Sequence, residues 1–403
     1  MSFKFIRKTL NNGLRILMIP NNAYDSTAVG IFVKVGSRYE TPKNNGISHF
    51  LEHMLFKDKN LVEKLDCLGA KYNAETSYES THYYIYGSKK DYVDFIDIIS
   101  DIYSSSSFKK EDIEKEKGVI LEEYNSIVND SDEMMNDEIN KKLFSNSALK
   151  LPIIGTKKNI KSFSKKDLES YWKKYYVPQN TLFVIAGNFN QKVAFENIKT
   201  KFSKIKNNGN KNILEKPKSI LQEEPQIHIV KDPYVTQSNI MITFRSNSMF
   251  DKKQLHYDII ADILSSGCSS RLFKLLRDKL GIAYTNYSYN LSYMFEGVFI
   301  INVAVDPKKT KECVSSILRE IEILANKGIT EKELNKSKKI RDTNQMFEIE
   351  NPLDIMNHFG LLDLHELEDE YKNLSKITLS SINKTIRELF DKSNLNIFVH
   401  GII

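Results

Sequence analysis

Two histidines and a glutamate within five residues, His49-x-x-Glu52-His53, carry the most specific chemistry in the chain. Their order reverses the H-E-x-x-H arrangement of metal-binding helices. On an α-helix the three fall within a ~100° arc. Ile47, Phe50, Leu51, Met54 and Leu55 occupy the other sides, and a helix that is apolar nearly all round is a buried one. Isolated buried charges are costly and normally come paired or metal-bound. Histidines at i and i+4 can ligate one zinc ion, with a third protein ligand leaving the fourth position to water. Zinc lowers the pKa of that water toward neutrality. Glu52, one turn from His49, is placed to take the proton as general base. A single histidine on such a helix would be ordinary core filler. Two flanking a carboxylate on one polar arc favour a metal, so one zinc ion per chain is expected and a third ligand must lie elsewhere.

Residues 111–129 supply the candidates. Ile113, Ile120, Tyr124 and Ile127 form a helical apolar stripe. Glu116 and Glu123, seven apart, point the same way, ~40–60° from the middle of that stripe, and Glu122 points to the opposite side. A run such as Glu114-Lys115 ordinarily makes a solvated face, and Glu122 fits that reading as well. It does not explain two carboxylates leaning toward the core. Glu123 is the candidate third ligand, with Glu116 as a supporting partner to a ligand or to the water. Spacing alone divides those two roles almost evenly.

The elements that must position these groups follow from patterning. Asn11-Asn12-Gly13 between two alternating runs signals a hairpin. A strand over 26–35 leads through a polar loop to the His49 helix. A helix over 61–68 stops at Gly69; strands over 71–76 and 81–87 and a helix over 90–104 come next. After the Glu123 helix, helices are expected over 132–144 and 161–175, the latter with Ser164 as cap three residues before Asp167. Residues 181–186 read as a buried strand.

The end of this half recurs. Asn180-Thr-Leu-Phe-Val-Ile-Ala-Gly187 is echoed by Asn394-Leu-Asn-Ile-Phe-Val-His-Gly401, and Leu168 and Tyr176 meet Ile382 and Phe390 at the same offset of 214. Residues 206–221 are polar and apolar-poor, as a linker should be. The chain therefore reads as two copies of one α+β domain, 1–205 and 222–403. In the second copy strands are expected over 226–230, 238–244, 284–293 and 297–305, with helices over 254–264, 271–279, 308–327 and 330–346. His256, His358 and His365 lack Glu-x-x-His company and read as ordinary histidines, so the second copy is expected to carry no metal site.

Composition narrows the function further. The 403 residues are 41% hydrophobic and 27% charged, with a net charge of +6 spread along the chain. That balance is too mild and too mixed for nucleic acid. Cys67, Cys268 and Cys313 are far apart and not in metal spacing, which suits reduced thiols. No apolar leader stands at the N-terminus, and no stretch approaches the ~18 apolar residues of a membrane span. A soluble, cytoplasmic protein with no nucleic-acid or membrane partner is expected.

At this point the sequence resembles the pitrilysin-type (inverzincin) zinc metallopeptidases, which include the insulin-degrading enzyme, the mitochondrial processing peptidase and short bacterial relatives. His49-Phe-Leu-Glu-His-Met-Leu-Phe56 matches the family's first motif almost letter for letter. Ile113-Glu-Lys-Glu-Lys-Gly-Val-Ile-Leu-Glu-Glu123 matches the second, whose last Glu ligates zinc and whose Glu seven earlier supports it. The resemblance thus implies His49, His53 and Glu123 as ligands, Glu52 as base and Glu116 as their support. The path from His53 to Glu123 is a few residues shorter than usual, with the loss after Lys57. The implied fold is two homologous α/β-sandwich domains, their sheets mostly antiparallel with helices packed on them.

The resemblance extends to substrate contacts. Asn73 and Ala74 fall on a strand similar to the edge on which the family lays its substrate, by addition of an extended peptide to free main-chain groups; an ordinary half-buried strand would show the same pattern. Arg277 and Tyr284 resemble the family's Arg and Tyr pair, which binds the substrate carbonyl and stabilises the developing oxyanion. Family members build a closed chamber from four such domains, so a two-domain chain implies a dimer with Arg277 and Tyr284 acting across it. The implied activity is a zinc endopeptidase acting on short or unfolded peptides. A homodimer and a heterodimer with a related subunit in peptide maturation both fit, and the family also contains non-catalytic peptide-binding members.

Overall fold

The computed structural model describes residues 3–57, 59–104, 108–207, 214–218 and 222–401. In chain order it runs β1 (Ile6–Thr9), β2 (Arg15–Pro20), β3 (Ser26–Val33), α1 (Ile47–Leu55), α2 (Lys59–Cys67), β4 (Lys71–Thr76), β5 (Thr81–Ser88), α3 (Tyr92–Ser104) and α4 (Lys110–Asn129). It continues with α5 (Ser131–Leu143), α6 (Lys157–Ser162), α7 (Lys165–Tyr175), β6 (Thr181–Gly187), α8 (Gln191–Phe202), β7 (Gln226–Lys231), β8 (Ser238–Ser246) and α9 (Gln254–Ser265). The rest is α10 (Arg271–Phe273), β9 (Asn286–Ser292), β10 (Gly297–Val305), α11 (Thr310–Lys327), α12 (Glu331–Glu348), α13 (Pro352–His365), α14 (Leu379–Leu389) and β11 (Leu395–Gly401). The fold is α+β.

Two expected helices are built differently. The stretch anticipated over 161–175 divides into α6 and α7, because Ser164 and Asp167 form a reciprocal capping box that starts a new helix. The stretch anticipated over 271–279 is α10 followed by a π-helical turn over Lys274–Lys279. There Leu280 N–H reaches back to the Leu275 carbonyl at 3.1 Å.

The chain forms two compact units. The first comprises Met1–Ile127, Ser147–Glu215 and Phe347–Glu368. Its sheet has the order β1-β2-β6-β3-β5-β4, with β2 and β6 parallel and the other neighbours antiparallel. Strand alternation sends Ile16, Val29, Ile31, Tyr83, Phe183 and Ile185 into the core that receives α1 and α3. Leu17, Phe32, Leu182 and Val184 face the other way, onto Ile355, Met356 and Phe359 of α13. Arg15 Nη1 donates to the Asp363 carbonyl at 2.8 Å and ties the end of that helix to β2.

The second unit comprises Val128–Asn146, Lys216–Met346 and Asp369–Ile403. Its sheet is ordered β7-β11-β8-β10-β9, again with one parallel pair, β7 and β11, among antiparallel neighbours. One face packs α9, α11 and α14. The other receives α5, whose Asp132 accepts from Asn239 at 2.5 Å and Asn302 at 3.1 Å. Each sheet is thus completed by a helix from the other half of the sequence.

Candidate active site

The site starts with how α1 begins. Gly46, the residue before the helix, sits at φ 94°, a left-handed conformation that glycine adopts without steric cost. No neighbouring Ser, Thr, Asp or Asn caps the helix. The cap comes from Glu40, whose carboxylate accepts from Gly46 N–H at 2.6 Å, Ser48 N–H at 2.8 Å and Asn45 Nδ2 at 3.0 Å. Burial pushes the Glu40 carboxyl up to about 7, and the donors around it favour its ionised form. Phe50, Leu51, Met54 and Leu55 anchor the helix in the core, while His49 and His53 turn toward α4 and Glu52 toward β4.

The carboxylates of α4 meet them there. Glu116 is buried, Glu123 is half-buried, and Glu114, Lys115 and Glu122 are exposed, as the helical spacing requires. Glu123 Oε1 lies 3.5 Å from His49 Nε2, and its Oε2 lies 3.2 Å from His53 Nε2. One donor atom from each of these three residues falls within 4.8 Å of the others, the only such cluster of metal-binding side chains among the described residues. Behind it, His53 Nδ1–H donates to Glu116 Oε1 at 2.9 Å. Lys57 Nζ holds the other Glu116 oxygen and donates to the Asp112 carbonyl at 3.1 Å.

The donor set fits zinc. Two imidazoles and a carboxylate converge, and Glu116 fixes the His53 tautomer so that Nε2 is left for a metal. The electrostatics favour a cation. Burial alone would depress His53, but hydrogen bonds to Glu116 and Glu123 outweigh it and push the imidazole up to about 9. Hydrogen bonds from His49 and His53 hold the Glu123 carboxyl well below the usual carboxylate range.

Glu52 is not one of the converging ligands. Its Oε2 accepts a hydrogen bond from Thr76 Oγ1 at 2.5 Å, and it borders a cavity of about 380 Å³. Phe56, Tyr72, Asn73 and Ala74 line the same cavity beside His53. Asn73 and Ala74 lie on β4, the last strand of the sheet. Arg277 and Tyr284 belong to the second unit, Arg277 in the π-helical turn and Tyr284 in the loop before β9 rather than on the strand expected over 284–293. The Arg277 guanidinium stacks 4.7 Å from the centre of the exposed Tyr284 ring, so these two form a pair of their own.

Three residues at the site were not singled out from sequence: Glu40, Lys57 and Thr76. Thr76 had a signal, since strand period places it on one face with Tyr72 and Ala74. Glu40 had none, because its role depends on a loop folding back onto a helix start.

A helix-borne His-x-x-Glu-His, completed by a glutamate from a second helix on an α+β sandwich, defines a metallopeptidase-like class. Residues 15–157 match the profile described as insulinase (peptidase family M16), and residues 162–341 match the peptidase M16 inactive domain. The chain belongs to peptidase family M16. It is 30% identical over 397 residues to the uncharacterized zinc protease YmxG of Bacillus subtilis (strain 168), covering 95% of each chain. It is 32% identical over 354 residues to an uncharacterized zinc protease of Rickettsia bellii (strain RML369-C), covering 86% of this chain and 84% of that one. The fold matches a protease from Helicobacter pylori with a TM-score of 0.92 over 100% of both chains, at 23% identity.

Proposed function

We propose that the protein is a zinc-dependent endopeptidase that hydrolyses short or unfolded peptides. One observation carries this reading: His49, His53 and Glu123 bring their donor atoms within 4.8 Å of one another, with Glu52 beside them on a cavity walled by β4. His49, His53 and Glu123 would hold one zinc ion per chain. Bound there, zinc supplies Lewis acidity and brings a water's pKa toward neutrality. Glu52 accepts the proton of the attacking water and delivers it to the leaving amine. Glu116 keeps His53 in the ligating tautomer. Asn73 and Ala74 pair with the main chain of an extended substrate, which explains how peptides of varied sequence could be accepted.

In this reading residues 1–205 carry the catalytic zinc domain, and 222–403 form a homologous domain that supplies Arg277 and Tyr284. Their cation and phenol suit the stabilisation of a developing oxyanion, and a second copy of the chain would present them in a dimeric chamber. Free and widely separated cysteines suit a reducing compartment, consistent with a cytoplasmic role. No described helix is long and apolar enough to cross a membrane.

The decisive measurement sets zinc stoichiometry and peptide cleavage of the wild type beside those of Glu52→Gln. Zinc retained with cleavage abolished is expected; equal cleavage by both proteins would end the reading. For the dimer, mixing an Arg277→Ala chain with a Glu52→Gln chain is expected to restore part of the activity, since mixed dimers contain one intact composite site. No recovery in verified mixed dimers would remove the action across subunits.

A further inference from the structure

We propose that Thr76, at the pinned end of β4, is a positioning residue that sets the orientation of the Glu52 carboxylate. This rests on the endopeptidase reading and adds to it a residue acting through the base. Thr76 Oγ1 lies 2.5 Å from Glu52 Oε2. The threonine hydroxyl donates and the Glu52 oxygen accepts, in a contact short enough to hold both groups closely. Occupying Oε2 in this way fixes the rotamer of Glu52 and leaves the other oxygen for proton transfer.

The position of Thr76 on β4 holds the donor in its turn. β4 pairs with β5 on one side and ends the sheet on the other. Thr76 is its last residue, two beyond Ala74 and three beyond Asn73. Lys71, Asn73 and Glu75 are exposed, whereas Thr76 is buried. Directly after it the chain turns, and the turn is pinned: Ser77 N–H donates to the Ser80 carbonyl at 2.8 Å, and Arg38 N–H to the Tyr78 carbonyl at 2.8 Å. The Arg38 guanidinium also meets the Glu79 carboxylate at 2.7 Å, with both side chains buried. The end of β4 that carries Thr76 is therefore held, and with it the hydroxyl that bonds Glu52. A threonine that merely satisfied a half-buried carboxylate would affect stability and not turnover, so the two roles are separable.

The test uses the full-length, zinc-loaded chain and a fluorogenic peptide. Thr76→Val keeps the β-branched shape and removes the donor. Its kcat is expected to fall by roughly 10- to 100-fold, the scale on which a misplaced catalytic group costs rate. KM, melting temperature and zinc content are expected to stay at wild-type values. Thr76→Ser, which keeps the donor, is expected to recover most of the loss, and Thr76→Ala, which lacks it, to match Thr76→Val. An unchanged kcat in Thr76→Val, a loss of zinc, or a serine variant as impaired as the valine one would each overturn the proposal. A wild type that binds zinc and cleaves no peptide would remove the endopeptidase reading and this inference with it. A cleaving wild type beside an unimpaired Thr76→Val removes this inference alone.

Discussion

In the proposed site Glu116 would support the metal without touching it. It accepts from His53 Nδ1–H and is itself held by Lys57, so the ring is fixed in position and tautomer. Losing such an outer partner typically costs 10- to 100-fold in metal affinity. Glu116→Gln is therefore expected to weaken zinc binding by about that factor, read by competition with a chelator, while secondary structure is retained. A pH dependence belongs to His82, which is buried and stacked on Phe32 with ring centres 4.9 Å apart. Burial alone pushes its imidazole down to about 4 from an ordinary 6.5. A depressed histidine favours the folded state above its unfolded pKa, and that contribution is lost as pH falls through the folded value. Stability is expected to decline between pH ~6.5 and ~4, by up to ~3 kcal/mol from this group. Denaturant unfolding at a series of pH values should show a shallower decline for His82→Gln.

At the scale of elements, the sequence made the two helices that carry the site legible. A wheel drawn on α1 puts His49, Glu52 and His53 on one arc, and α4 does turn Glu116 and Glu123 inward and Glu122 outward. Periodicity is a local property, and helices report it directly. The close approaches between elements were not legible. At Gly36 an added Cβ would stand 2.1 Å from the Ser77 carbonyl, a contact created only when the loop after β3 meets the turn after β4. The role of α13 was equally hidden. Asn351 caps it and Pro352 opens it, both ordinary start signals, yet nothing local says that it covers the first sheet. Met356 is fully buried there. Met356→Ala is expected to destabilise the first unit by ~2–5 kcal/mol, seen as a lower unfolding midpoint and weakened zinc retention.

For the molecule as a whole, the internal repeat was the most informative sequence signal. β6 and β11 are related by an offset of 214. So are α7 and α14, each opened by a capping box at Ser164 and Thr378. The sheet order β2-β6-β3-β5-β4 recurs as β7-β11-β8-β10-β9, the first sheet adding only β1. The exchange of α5 and α13 between the halves left no comparable trace, because both are simply helices in sequence. It has a measurable consequence. A fragment ending at Glu215 leaves Leu17, Phe32, Leu182 and Val184 without the apolar cover they have in the intact chain, and exposed apolar patches of that kind promote aggregation. Such a fragment is expected to be insoluble or to bind apolar dyes, and restoring residues 347–368 by fusion should rescue it. A soluble, cooperatively folding fragment without them would contradict this account.

The five residues Gly36–Glu40 act as a common datum. Through Arg38 they locate the turn that ends β4, and through Glu40 they locate the start of α1. The strand and the helix of the proposed site, β4 and α1, are thus both measured from one short segment, so positional error does not accumulate along the chain that joins them. The connection between α1 and β4 is accordingly free to vary in length. Inserting a few residues there is expected to leave zinc content unchanged, whereas Arg38→Met, which disturbs the datum itself, should loosen the base and the metal together.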